Sequence, residues 1–241
     1  MNNTQETKEI NINGVIFKLY TFNRSLDLCS RMNYETENLD FINTLPKGSV
    51  MYDLGACEGR FSIYAILKDI NVFSFEPDKK NYKVLVENLK INNLFSDNHF
   101  FNLGVGEKNS TALLQIGQPW PGGHQKVVKH DEVRSDLNFN FVETETIQLI
   151  SLDSFVFDKK MAFPYALKID IDGSEMPFLK GALKTLKDHR LKKIIFELDT
   201  NDNNFIAIEK ILSDSGLKKI KSYQVPNEPT LFNIVYERIN K

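Results

Sequence analysis

The chain has 241 residues, with 30 lysines and arginines against 32 acids and a formal net charge of -2. That length allows one domain with a large core, and a balance so close gives no electrostatic pull toward nucleic acid or an anionic membrane, so neither is expected as a partner. Two cysteines, Cys29 and Cys57, do not make a disulfide framework and read as free thiols; no run approaches the about 18 apolar residues of a membrane span, Met1 to Glu9 lacks the apolar stretch of a secretion signal, and a cytoplasmic location is expected.

Ile10, Ile12, Val15, Phe17, Leu19 and Phe22 alternate loosely around Asn13-Gly14, the pattern of a β-hairpin. Ser25 to Leu45 is amphipathic and reads as two helical pieces. Arg31, Tyr34, Glu35 and Glu37 in it are taken as solvated surface in preference to neighbours of a substrate. Residues 1–45 are thus expected to pack on, or lid, a core formed by 46–241.

Pro46, Lys47 and Gly48 mark a turn, and Ser49 to Leu54 has the length of a strand buried in a parallel sheet. Gly55 and Gly59 then let the chain turn sharply and let a ligand approach the backbone, before a well-covered helix carrying Phe61, Ile63, Tyr64, Ala65, Ile66 and Leu67. The residue two after Gly55 is Cys57, so the middle glycine of a dinucleotide fingerprint is missing. No Lys-Ser or Lys-Thr pair follows, which excludes a phosphate-cradling P-loop. A turn with Asp53 before it and no phosphate anchor suits a ligand with a ribose and an amino-acid tail, as in S-adenosyl-L-methionine (SAM).

Asn71 to Phe75 reads as the second strand, ending in Glu76-Pro77. Glu76 stands 21 positions after Gly55, where an acid in α/β sheets accepts both ribose hydroxyls. Asp78 is a helix cap, and Tyr82, Leu85, Val86 and Leu89 recur at helical spacing, predicting a helix from about Asp78 to Ile91. Asn98 to Val105 reads as a third strand, with Asn102 to Gly104 beside an adenine or, equally, forming a plain turn into the next strand, Ala112 to Ile116. Gly117 to Val142 is expected to be a long loop. In it Trp120, between Pro119 and Pro121, either stacks on a substrate or merely pins the loop, and His124 and His130 are candidate bases with Arg134 nearby.

Thr146 to Phe155 reads as an outlying strand rejoining the sheet. Ala166 to Ile171 is the next buried strand, delivering Asp170 and Asp172 to its carboxyl end, where open α/β sheets bind ligands. Phe178, Leu179, Ala182, Leu183 and Leu186 predict a covered helix after it. Lys193 to Leu198 is a strand carrying Glu197, Phe205 to Leu212 a helix stopped by Gly216, and Leu217 to Tyr223 and Leu231 to Glu237 two last strands.

Asp53-Leu54-Gly55-Ala56 through Gly59, Phe75-Glu76-Pro77, and Leu167 to Glu175 with Leu179-Lys180-Gly181-Ala182 resemble, in order and spacing, the signatures of FkbM-type SAM-dependent methyltransferases. The resemblance runs from roughly Glu35 to the C-terminus. It implies a Rossmann-like class I methyltransferase fold: an α/β, mostly parallel seven-stranded sheet with helices on both faces and an antiparallel closing strand. It also implies SAM on the first loop and O-methylation of hydroxyls on saccharides or other secondary metabolites. Two departures stand out. The family usually has Asn-Ile where Cys57-Glu58 stand here, and Glu where Asp172 stands.

The expected cofactor residues are therefore Asp53, Gly55, Ala56, Cys57, Gly59, Ser62, Glu76, Pro77, Asn102, Gly104 and Asp170, with Ser62 near the cofactor carboxylate. Asp170 is the first candidate base, with His124 and His130 competing, and the acceptor is a small molecule or glycan met by Trp120, Arg134, Asp172 and Glu197. Asp170, Asp172 and Glu197 would also suit Mg²⁺, because an oxygen-only set favours a hard cation over zinc. A reading without an ion is preferred. The competing functional class is a non-catalytic SAM-binding or scaffold module, with the missing Asn at Cys57 as its motive; an NAD-dependent oxidoreductase is third.

Overall fold

The computed structural model describes residues 6–33, 35–129 and 140–239. Tyr34, His130 and Arg134 lie outside them.

The N-terminal hairpin pairs β1 (Thr7–Ile12) with β2 (Val15–Tyr20). Asn13 and Gly14 both take positive φ, 52° and 83°, the turn whose twist matches paired strands. α1 (Arg24–Ser30) is capped by Asn23, whose side chain accepts from Leu26 N, and α2 (Thr36–Asn43) follows. The chain then enters the main sheet through β3 (Val50–Leu54), α3 (Arg60–Leu67), β4 (Asn71–Phe75), α4 (Lys79–Ile91) and β5 (Phe100–Phe101). Asp78 caps α4 as expected, its carboxylate accepting from Asn81 N at 2.7 Å.

A second sheet comes next, from β6 (Gly104–Val105), β7 (Ser110–Ile116), β8 (Lys126–Val128) and β9 (Glu143–Ile150). After a π-helical turn (Ser154–Asp158) the chain returns to the main sheet as β10 (Ala166–Ile169). It continues through α5 (Glu175–Lys180), α6 (Leu183–Lys187), β11 (Lys193–Asp199), α7 (Phe205–Asp214), β12 (Leu217–Gln224) and β13 (Leu231–Arg238).

The seven strands run in the order β12-β13-β11-β10-β3-β4-β5. β10, β11, β3, β4 and β5 pair in parallel, and β13 is antiparallel to both its neighbours. This is the class I methyltransferase sheet expected from the sequence. Its order reverses between β3 and β10, so the loops after those strands diverge and open a crevice at their carboxyl ends.

Alternation along each strand makes a core on each face. Tyr52, Leu54, Phe73, Phe75, Leu167, Ile169, Ile194 and Phe196 join Phe178, Leu186 and Ile208 in one cluster. Met51, Val72, Ala166 and Ile195 join Ile63, Tyr64, Leu85 and Leu89 in the other. Phe17, Leu19, Leu39 and Ile42 belong to this second core, so the N-terminal elements share it with the sheet. Asn92 also fastens the hairpin, accepting from Lys18 N at 2.8 Å and donating to Lys18 O at 2.7 Å.

Three expectations are corrected in the middle of the chain. Asn98 to Val105 is not one strand: Asn102 turns its amide to the carbonyls of Glu76 and Pro77, both at 2.9 Å, and the chain changes sheets there. Gly117 to Val142 is not loop throughout, since Lys126–Val128 pairs antiparallel with Leu114–Ile116. Thr146 to Phe155 does not rejoin the main sheet; β9 pairs with β6 and β7, and the chain then turns at Ser154–Asp158.

Candidate cofactor and acceptor site

The loop after β3 is held from both sides. Gly55 N and Ala56 N donate to Phe75 O at 2.9 and 3.0 Å, and Gly59 N donates to Ala56 O at 2.8 Å. Gly55 (φ 81°) has a reason the sequence did not show: a Cβ there would lie 1.7 Å from Asp170 O, so glycine is required by the backbone at the end of β10 rather than by a ligand. Gly59 (φ 87°) begins α3 with Leu85 Cγ 3.1 Å from the same virtual position, a requirement of helix packing.

Beyond this loop lies a cavity of about 860 Å³ including its open mouth. Gly55, Ala56, Cys57, Glu76, Pro77, Gly104, His124, Asp170 and Asp172, all singled out in the sequence, line it. Asp53 and Ser62 do not. They lie beneath the loop, where Ser62 Oγ donates to Asp53 Oδ2 at 2.5 Å and meets Ser74 Oγ at 2.8 Å, so Ser62 is turned to the buried strand end rather than to a ligand carboxylate. Gly59 and Asn102 are not among the lining residues either. Trp120 is 45% exposed and donates from Nε1 to Ser25 Oγ at 2.8 Å, which ties its segment to the N-terminal region. Glu197 stands with Asp170 and Asp172, one oxygen of each within 4.8 Å of the others.

The cavity is lined by both apolar and charged side chains. Phe75, Leu103, Val105, Leu114 and Val128 are among the apolar ones. Glu76 marks the passage to the loop: its Oε2 accepts from Cys57 N and its Oε1 from Asp78 N, each at 2.9 Å. Burial raises its carboxyl to about 7, with the ammonium of Lys126 opposing the rise. Lys126, on β8, is buried and pairs with Asp78 Oδ1 at 3.0 Å.

The charged lining is extensive, and much of it was missed in the sequence. Lys168 Nζ donates to Gly55 O at 3.2 Å and Asp170 Oδ2 at 3.3 Å, and lies 3.5 Å from Asp53 Oδ1. Burial opposes its charge, but Asp170, Asp53 and Glu35 outweigh that and hold the ammonium above its ordinary range. Arg60 bridges Glu35 Oε2 at 2.6 Å and Glu58 Oε1 at 2.9 Å. Glu35, taken as solvated in the sequence, is thus on the cavity wall. A signal for Lys168 did exist: it is a lone cation in the apolar run Ala166-Leu167-Lys168-Ile169.

Asp172 and Glu197 carry the imprint of this crowding. Burial and then the charge of Asp170 raise Asp172 to about 7. Burial, followed by Asp170, Glu35 and Asp172, lifts Glu197 well above the carboxylate range. A cavity with strand-end carboxylates, a buried ammonium and an apolar recess can hold a polar adenosyl-type group and keep a proton acceptor beside it.

The family model described as "Methyltransferase FkbM domain" matches residues 53–219. Among solved structures, the chain is similar to the methyltransferase FkbM of Methylobacillus flagellatus KT, with 18% identity and a TM-score of 0.52 over 81% of this chain and 45% of that one. It therefore spans less than half the length of that relative. It is also similar to a SAM-dependent methyltransferase of Agrobacterium tumefaciens, with 10% identity and a TM-score of 0.52 over 97% of this chain and 71% of that one. A third, Aeropyrum pernix fibrillarin in complex with natively bound S-adenosyl-L-methionine, has 9% identity and a TM-score of 0.50 over 95% and 81%. At these identities the structures establish the fold. No curated protein matches the chain.

Proposed function

The chain belongs to the FkbM methyltransferase domain family, whose cofactor is S-adenosyl-L-methionine, and from that premise we propose that it transfers a methyl group to a hydroxyl of a saccharide or another small molecule. The observation that carries this reading is that the Gly55 to Glu58 loop, the Glu76 carboxylate and Asp170 all line one cavity. When bound, the cofactor supplies an electrophilic methyl on sulfur. Glu76 accepts the ribose hydroxyls, and the apolar recess around Leu103 and Val128 receives the adenine.

Asp170 takes the acceptor's proton. Lys168 orients its carboxylate from 3.3 Å, and His124 reaches the cavity from the inserted segment as the competing base. Holding the acceptor oxygen in line supplies much of the rate gain, up to about 7–11 kcal/mol in favourable intramolecular analogies. Mg²⁺ is not part of the proposal, since the Lys168 ammonium already brings a positive charge to the Asp170 side of the three-acid cluster. The acceptor is chosen by segment 117–142 and by the N-terminal region that Trp120 contacts.

The test is calorimetry with SAM, followed by a methyl-transfer assay against a panel of hydroxyl acceptors. Binding with turnover on one of them is expected. Tight binding with no turnover on any acceptor would instead make the domain a SAM-binding module.

A further inference from the structure

The second sheet is fastened to the corner of the main sheet that carries Glu76. Four consecutive residues at the start of α4 make the joint. Asp78 Oδ1 pairs with Lys126 Nζ on β8 at 3.0 Å, Lys79 Nζ with Glu145 Oε1 on β9 at 2.9 Å, and Lys80 Nζ with Glu143 Oε2 on β9 at 2.8 Å. Asn81 Oδ1 accepts from Gly122 N at 2.9 Å, a few residues before β8.

These contacts are not equivalent. The side chains of Lys79 and Lys80 stay exposed, where water screens an ion pair and leaves it little net effect. The side chain of Lys126 is only 7% exposed and that of Asp78 wholly buried, so their pair is shielded from solvent and its charges act at full reach on their neighbours. Asp78 N in turn donates to Glu76 Oε1 at 2.9 Å. Lys126, Asp78 and Glu76 therefore form one buried row that ends on a carboxylate lining the cavity. The charged and titratable groups facing Glu76 are Lys126 from β8, Asp78 from the start of α4 and the Cys57 thiol from the loop after β3. Of these, Lys126 alone is positive. Burial favours the protonated form of Glu76, and the Lys126 ammonium is the charge that opposes it.

We propose that Lys126 is a positioning residue for cofactor binding: delivered by β8, its ammonium braces the Asp78–Glu76 corner and balances the negative charge that Glu76 carries when it accepts from the ribose hydroxyls. This rests on the cofactor reading and extends it to a residue outside the main sheet. Ribose recognition is then shared between two sheets, with the acid at the end of β4 and its counter-charge on β8. Lys126 touches no part of the ligand; it acts through Glu76.

Calorimetry with S-adenosylhomocysteine between pH 6 and pH 9 tests this. Wild-type affinity is expected to rise through a midpoint at about 7, where Glu76 titrates. Lys126→Gln removes the charge, keeps a donor for Asp78, and retains the main-chain N–H from which Asp172 accepts, so the Asp172 titration cancels in the comparison with wild type. The expected result is a midpoint raised by about one pH unit, which weakens binding roughly fivefold at pH 7 and leaves it nearly unchanged at pH 9. Lys126→Arg keeps the charge and is expected to restore the wild-type midpoint. A purely structural brace would instead weaken binding by the same factor at every pH, and that result overturns the proposal. Should Lys126→Gln fail to fold, Asp78→Asn retains the helix cap, leaves the ammonium facing Glu76 without its partner, and is expected to move the midpoint to the acid side. An unchanged midpoint in either folded variant, or a wild-type affinity that is flat with pH, likewise overturns it. If S-adenosylhomocysteine does not bind the wild type at any pH, the cofactor reading itself falls.

Discussion

The proposed ribose contact of Glu76 would tie cofactor binding to pH, and its size can be worked from the surroundings of that carboxyl. Its carboxyl is 5% exposed and titrates near 7 against 4.5 for an ordinary glutamate, chiefly through burial. The folded-state pKa is raised, so the contribution to stability is full in acid and is lost as pH rises through 7. For a single group with those two pKa values, the loss between about pH 5 and pH 8 is roughly 2.5 kcal/mol. In a chain of this size that lowers the melting temperature by roughly 5–10 °C.

Binding runs the other way. If the ribose hydroxyls need the ionised carboxylate, affinity for S-adenosylhomocysteine improves about tenfold from pH 6 to pH 8. Glu76→Gln leaves one of the two backbone donors, Cys57 N or Asp78 N, facing an amide NH₂. That cost does not depend on pH, so the slope is the quantity to read. Thermal melting and calorimetry of wild type and variant across this range measure both effects, and subtraction removes Asp172, which titrates in the same window. A wild-type-minus-variant difference that stays flat with pH would refute the reasoning.

Three further outcomes are expected. Asp170→Asn should bind S-adenosylhomocysteine with little change and lose about 10²–10⁴-fold in turnover, measured in single-turnover methyl transfer. Turnover of the wild type should survive excess EDTA; inhibition reversed by added Mg²⁺ would place an ion among Asp170, Asp172 and Glu197. Lys168→Met should cost about 3–5 kcal/mol in urea unfolding, because it strands the buried Asp53 carboxylate and leaves Asp170 without its cation.

What the sequence revealed of this molecule was set by range. The Asn-Gly hairpin, the glycine loop and the Asp78 cap each depend on residues within one turn or one strand, and each is found where the spacing puts it; Glu76 reaches Cys57 N across the pairing of β3 with β4. The seven-stranded sheet is what the FkbM resemblance implies, and it is found. Segment 126–128 could not be seen as a strand, because three residues carry no period and their partner at Leu114–Ile116 is set by tertiary pairing. Glu35 and Arg60 are 25 positions apart and meet only because α2 and α3 pack together; read singly, each is an ordinary surface charge. Ser62 is expected near the cofactor carboxylate, but its place on α3 turns it to Asp53.

The second sheet bears on how this protein could be re-engineered. His124, Lys126 and Val128 reach the cavity from the same stretch of chain that is proposed to select the acceptor. Grafting residues 117–142 from a relative would therefore transplant part of the cavity lining along with any change of specificity. The two properties travel as a single cassette, and a chimaera that respects this should exchange only positions whose side chains point away from the cavity.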